Sequence, residues 1–324
     1  MKYLLRIGAA LLAALLIVTM LAGNGIGAGV LHPARRELTP KLIAQADEAF
    51  ARVGAKREDV EVVASDGVHL RGWKVRPPQP NGNWVLLYHG VSDNRVGMIG
   101  QAELLLRHGY SVVMMDARGH GESEGPMVTY GWIERRDSTP VIDALVASDH
   151  PRAVFASGES MGASVALQAA AVEPRIQAVV AESPFRNLRE VSYDYAGLRV
   201  SPLLGKTLFR PVAASGIHAA EKEGNFHAED VSPEKAVAAR PFPVLLICGL
   251  DDHNIPPRHT KAVYAAAIGP KEMWLVPGAG HTQSLGRAPE EFERRMIAFL
   301  ASAATSLEAA PDAARPAPAS APQQ

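Results

Sequence analysis

From about residue 60 to residue 300, short apolar runs alternate with stretches of helical pattern, and this alternation limits the chain more than any other feature. Such an order is the signature of a mostly parallel sheet with helices on both faces. Val60–Ala64 and Val68–Val75, joined by Ser65-Asp66-Gly67, read as an opening antiparallel hairpin. Buried strands are expected at Trp84–Tyr88, Ser111–Met115, Ala153–Ser157, Ile176–Ala181, Val244–Cys248 and Glu272–Val276. Between and after them come helices near Arg95–His108, Ile133–Ala147, Met161–Val172, His259–Ala267 and Glu290–Leu300. The pattern breaks between about 186 and 241, where short helical pieces are punctuated by Pro202, Pro211 and Pro233, and this segment reads as a small cap.

The two ends differ from this middle. Ile7–Ala22 is almost wholly apolar, follows Lys2 and Arg6, and fades through a glycine-rich stretch to Leu31. Residues 1–31 therefore read as a membrane anchor, a single transmembrane helix, with a signal peptide cleaved near Gly27 and Ala28 as the rival. The flanking Lys2 and Arg6 against Arg35, Arg36 and Lys41 leave orientation finely balanced, and an extracytoplasmic domain is the expectation. Residues 32–59 form a linker and helical lead-in, 60–301 the catalytic domain, and 302–324 an Ala/Pro-rich tail expected to be disordered.

Composition removes some functions. A net charge of −1 offers no basic surplus for phosphates, which argues against nucleic-acid binding. The single cysteine, Cys248, sits in an apolar run and reads as a small core residue. No cluster with metal-ligand spacing appears, so neither metal nor cofactor is expected.

The chemistry begins with serine. Its hydroxyl is a poor nucleophile unless a base takes its proton and a tight turn exposes its oxygen, which is what G-x-S-x-G between strand and helix provides. The motif occurs twice, at Gly121–Gly125 and Gly158–Gly162. Only Ser160 has an apolar run before it and a small-residue helix after it, whereas Ser123 has neither flank and reads as a loop residue. The base should follow late in the chain, and His281, in the turn Pro277-Gly-Ala-Gly-His281 after the last strand, is best placed. His253 and His259 also follow Ser160 but read as loop and helix-start residues. A carboxylate to orient the imidazole is expected in Gly249-Leu-Asp251-Asp252, where either aspartate could serve. Negative charge on a tetrahedral intermediate needs preorganised donors, and position nominates the amides of Met161 and Val91 as an oxyanion hole. His89 and the charged residues of Asp116-Ala-Arg118-Gly-His120 read as loop scaffolding.

Taken in order, Tyr88-His89-Gly90, DARGHGES at 116–123, GESMG at 158–162, GLDDHNIP at 249–256 and GAGH at 278–281 resemble the α/β-hydrolase superfamily. They are most similar to its bacterial serine-aminopeptidase-like and monoglyceride-lipase-like hydrolases, over about Val60 to Leu300. The resemblance implies an eight-stranded sheet, a cap between the sixth and seventh main strands, and Asp252 as the acid of a Ser160–Asp252–His281 triad. The oxyanion loop lacks the glycine run of some lipases, so long-chain lipase activity is not carried over. The expected activity is hydrolysis of a small-molecule carboxylic ester or thioester through an acyl-enzyme. Acyl transfer by the same triad and a non-catalytic, membrane-held binding protein of the same fold are the alternatives.

Overall fold

A computed structural model describes residues 2–198, 201, 203–204 and 207–309, with parts of the first helix described through the backbone alone. Its centre is one eight-stranded sheet: β1 (Lys56–Val63), β2 (His69–Arg76), β3 (Asn83–Tyr88), β4 (Ser111–Met115), β5 (Ala153–Glu159), β6 (Ile176–Glu182), β7 (Val244–Gly249) and β8 (Lys271–Val276). The spatial order is β1-β2-β4-β3-β5-β6-β7-β8. The β1–β2 and β2–β4 ladders are antiparallel, and the remaining ones are parallel. Strand order reverses between the neighbours β3 and β5, and in open parallel sheets a ligand crevice forms outside the carboxyl ends at such a point.

Period-two alternation gives the sheet two cores. In β3, Val85 and Leu87 face one hydrophobic cluster while Trp84 and Leu86 face the other. Phe155 and Ala156 divide in the same way in β5. The first face is covered by α2 (Pro40–Arg52), α3 (Ile99–Arg107) and the last helix. The second is covered by α4 (Ser138–Asp149), α5 (Met161–Val172) and two later helices. Helix α5 is nearly all Ala, Gly, Ser and Val and is buried from Met161 to Ala170, because side chains this small let its backbone lie close to β5 and β6. The outer strand β1 carries Lys56, Arg57, Glu58, Asp59 and Glu61, charges that discourage pairing of this edge with another chain.

Between β6 and β7, in the segment expected as a cap, lie α6 (Leu188–Gly197), α7 (Arg210–Gly224) and α8 (Pro233–Ala239). Positions 199–200, 202 and 205–206 of the expected cap lie outside the described residues. After β7 come α9 (Arg258–Ala266), α10 (Ser284–Arg287) and α11 (Pro289–Ala309). Helix α11 passes the expected end of the domain at 301, and Ala303 is buried in the first core. The Ser/Ala-rich stretch read as tail is helical here because alanine is the best helix former and the core extends under it. The tail from 310 onward lies outside the described residues.

The N-terminal end makes contacts that the sequence pattern did not indicate. Helix α1 (Lys2–Leu31) is present, but among the described residues no helix is long and apolar enough to cross a membrane, so the transmembrane reading of 1–31 is not supported. Its last turns instead pack on α7. A Cβ on Gly27 would lie 2.7 Å from Gly216 O and 2.9 Å from Ala219 Cβ, so only glycine permits this approach. Leu31 is fully buried with Phe185, Leu188, Ile217 and Phe226. The chain after it is tied down by Val128 N donating to Leu31 O at 2.8 Å and by Arg35 donating to the carbonyls of Ser123 and Gly125.

The lead-in is also part of the domain. Thr39 caps α2, its hydroxyl accepting from Leu42 N, and Pro40 opens the helix. This puts Ala46 and Phe50 into the first core, with Phe50 edge-on to Trp73 at a centroid distance of 6.2 Å. Replacing a buried phenylalanine by alanine removes transfer energy and leaves a cavity. Phe50→Ala should therefore lower the unfolding free energy by about 3–5 kcal/mol, measured by urea denaturation; a loss under about 1 kcal/mol would place α2 outside the cooperative domain.

Candidate active site

Ser160 sits at the turn between β5 and α5 with φ 54° and ψ −117°, a conformation that costs a non-glycine residue energy and is held only by its surroundings. Those surroundings are visible. Ser160 N donates to Glu182 O at 2.9 Å, and Ser160 O accepts from Ser164 N at 3.2 Å. A Cβ on Gly158 would collide with the backbone of Gly162 and Ala163, and one on Gly162 would collide with the carbonyl of Tyr88. Both flanking glycines of the motif are thus required by close backbone contact. The turn lifts the serine hydroxyl above the carboxyl end of the sheet.

His281 comes from the turn after β8, and its Nε2 lies 2.9 Å from Ser160 Oγ. Its Nδ1 lies 2.8 Å from Asp252 Oδ2, in the loop after β7. The neighbouring aspartates separate cleanly. Asp251 is exposed, whereas Asp252 is 2% exposed and its other oxygen accepts from the amides of Asn254 (3.0 Å) and Ile255 (2.8 Å). These bonds hold the carboxylate in place, so the side chain facing the imidazole is Asp252. His253 is exposed. His259 is buried, accepts from Arg186 N and faces Asp194 at 2.8 Å, joining the cap to α9 away from Ser160.

Met161 N belongs to the first turn of α5, where amides have no intrahelical partner and the helix dipole favours negative charge. Val91 lies in the loop after β3, and Val91, Ser160 and Met161 line one cavity. The loop is braced by two buried histidines in edge-on contact at 5.1 Å. His89 accepts from Ala117 N at 3.0 Å and faces Gly90 O at 2.7 Å, while His120 accepts from Ser92 N at 3.1 Å and faces Arg118 O. Burial pushes His89 down and His120 down to about 4, so both brace the loop as neutral rings. Asp116, fully buried, accepts from Arg95 N, Arg95 Nη2 and Glu122 N. Ser123, in the second G-x-S-x-G, is also fully buried; it donates to Asp116 O at 2.6 Å and accepts from Arg71 N. The scaffolding role expected for this segment matches these bonds. Cys248 is buried in β7, and burial pushes its thiol up to about 11. Among the described residues no group of three or more His, Cys, Asp or Glu is placed to hold a metal ion.

Sequence reasoning missed the walls. The cavity above Ser160 has a volume of about 560 Å³ and is bounded by Phe185, by cap residues such as Leu188, Val191 and Ile217, and by Ile26 and Val30 of α1. The spacing of Gly23 and Gly27, one helical turn apart and facing α7, was the signal in the sequence that α1 meets another helix closely.

A second missed feature lies beneath the nucleophile. Glu159 and Glu182 are partners in the β5–β6 register. Glu159 accepts from Gln101 Nε2 at 2.7 Å and Glu182 from Ser284 N at 2.9 Å, while the second oxygen of Glu182 is buried without a hydrogen-bond partner. Burial raises both carboxyls above the usual range, and in Glu159 the charge of Glu182 raises it further.

This strand order, with its cap and loop-borne residues, defines the class: the chain belongs to the α/β-hydrolase superfamily. Within it, a family model described as "Serine aminopeptidase, S33" matches residues 79–211. The chain is 29% identical over 238 residues to "Uncharacterized protein YqkD" of Bacillus subtilis, covering 72% of this chain and 76% of that protein. It is also 29% identical over 226 residues to "Alpha/beta hydrolase domain-containing protein WAV2" of Arabidopsis thaliana, covering 67% and 68%. Among solved structures, the Pyrococcus furiosus esterase Pf2001 shares the fold with a TM-score of 0.65 at 24% identity, covering 78% of this chain and 93% of that one.

The carboxyl pair makes a pH-dependent prediction. A glutamate whose folded pKa is raised costs nothing below its unfolded pKa, about 4.3, and stability is lost as pH rises through the folded value. Glu159→Gln should therefore stabilise the protein at pH 9 by about 1–2 kcal/mol and by clearly less at pH 5, measured by urea denaturation at the two pH values. An equal effect at both would show that the pair is not desolvated.

Proposed function

We propose that this protein is a serine hydrolase that cleaves a carboxylic ester or thioester through an acyl-enzyme. The observation that carries the reading is the chain of short contacts from Ser160 Oγ to His281 Nε2 and from His281 Nδ1 to Asp252, at 2.9 and 2.8 Å. In this reading His281 takes the Ser160 proton as the hydroxyl oxygen attacks the acyl carbon, and Asp252 orients the ring and stabilises its charged form. The amides of Val91 and Met161 receive the developing oxyanion. His281 then returns the proton to the departing alcohol or thiol, and water attacks the acyl-enzyme by the same route in reverse. The esterase among the solved structures of this fold points the same way.

Ser160→Ala should abolish both labelling by a fluorophosphonate and turnover of short-chain nitrophenyl esters. Asp252→Asn should lower kcat by about 10³–10⁴-fold, because the imidazole then loses its preferred tautomer, while Asp251→Asn leaves kcat within about twofold. Undiminished labelling of Ser160→Ala, or an Asp251 effect as large as that of Asp252, would overturn the assignment.

A further inference from the structure

We propose that the last turns of α1 form a wall of the substrate chamber, and that this wall fits an unbranched hydrocarbon chain carried by the scissile ester. The inference rests on the hydrolase reading and adds to it the substrate class and the residues that set chain length. Three observations carry it. First, Ile26 and Val30, one helical turn apart, line the same cavity as Ser160 and Met161. Second, their position is fixed by more than apolar contact. Glycines 23 and 27 bring α1 against Ser215, Gly216 and Ala219 of α7, and the Tyr130 hydroxyl donates to Val30 O at 2.9 Å. Tyr130 lines the cavity too, so one hydrogen bond joins two walls. Third, no charged side chain lines the chamber among the described residues, and apart from Ser160 its hydroxyl-bearing lining residues are Tyr130, Ser192 and Tyr195.

A peptide, sugar or phosphorylated leaving group in such a chamber would surrender its hydration to walls with few partners, whereas a methylene chain gains from the transfer. If a methylene takes roughly the share of space of one water molecule, about 30 Å³, then 560 Å³ accommodates an ester head with a chain of roughly ten to fourteen carbons. The chain could belong to the acyl or to the alcohol side of the ester, since the same lining serves either.

The test is kcat/KM of the full-length protein across two series: nitrophenyl alkanoates from acetate to hexadecanoate, with the chain on the acyl side, and alkyl acetates of the same lengths, with the chain on the alcohol side. Labelling by a small fluorophosphonate is followed in parallel. In one of the two series kcat/KM should rise about threefold per methylene and stop rising between about ten and fourteen carbons, and which series does so identifies the side. In Ile26→Trp, and independently in Val30→Trp in case one variant folds poorly, the length at which the rise stops should shorten by several carbons. The dodecyl-to-ethyl ratio of kcat/KM in the responding series should fall at least tenfold. Wild-type protein that labels and hydrolyses acetate with no chain-length dependence in either series would overturn this proposal and leave the hydrolase reading standing. An unchanged length profile in a variant of wild-type melting temperature would remove α1 from the site. Absence of both labelling and acetate turnover would defeat the underlying hydrolase reading itself.

Discussion

The backbone at Ser160 is the constraint on which the site depends. A strand that must turn at once into a helix, without a loop between them, forces one residue to positive φ and brings three chain segments closer than any Cβ would allow. The cost is borne by the sheet: β6 accepts the Ser160 amide, and the end of β3 presses against Gly162. The serine is thus positioned by the most buried strands of the molecule, and its oxygen stands where three other strand ends deliver their loops.

Those loops reach the same point because parallel strands end on the same side. β3 delivers the Val91 loop, β7 the Asp252 loop and β8 the His281 turn, and each is then fixed by its own local bonds. Asp252 is held by the amides of Asn254 and Ile255, and the Val91 loop by the rings of His89 and His120. The sheet supplies coarse placement, and short-range hydrogen bonds supply the last ångström.

Much of this was legible because it is periodic or punctuated. Residues 161–172 read as a helix and fold as one, and the strand at 111–115 is found where the apolar run put it. Ser160 could be told from Ser123 by its flanks, and the Ser123 hydroxyl is engaged by Asp116 O and Arg71 N in its loop. The choice between Asp251 and Asp252 needed a family resemblance, since two adjacent aspartates differ only in which one the turned backbone points inward. The contact of the N-terminal helix with α7 was not legible in the sequence for a physical reason. An apolar helix has the same composition whether lipid or protein covers it, and the glycines that seemed to weaken it are the residues that let it pack. The cap gave little, because short alanine-containing helices bury their faces against partners far away in sequence.

The two histidines under the Val91 loop have a consequence of their own. Imidazole ordinarily changes charge near neutral pH, the range in which a proton shuttle must work. Buried as they are, His89 and His120 stay uncharged through that range. The frame that would cradle a developing negative charge therefore keeps its shape while protons come and go beside it.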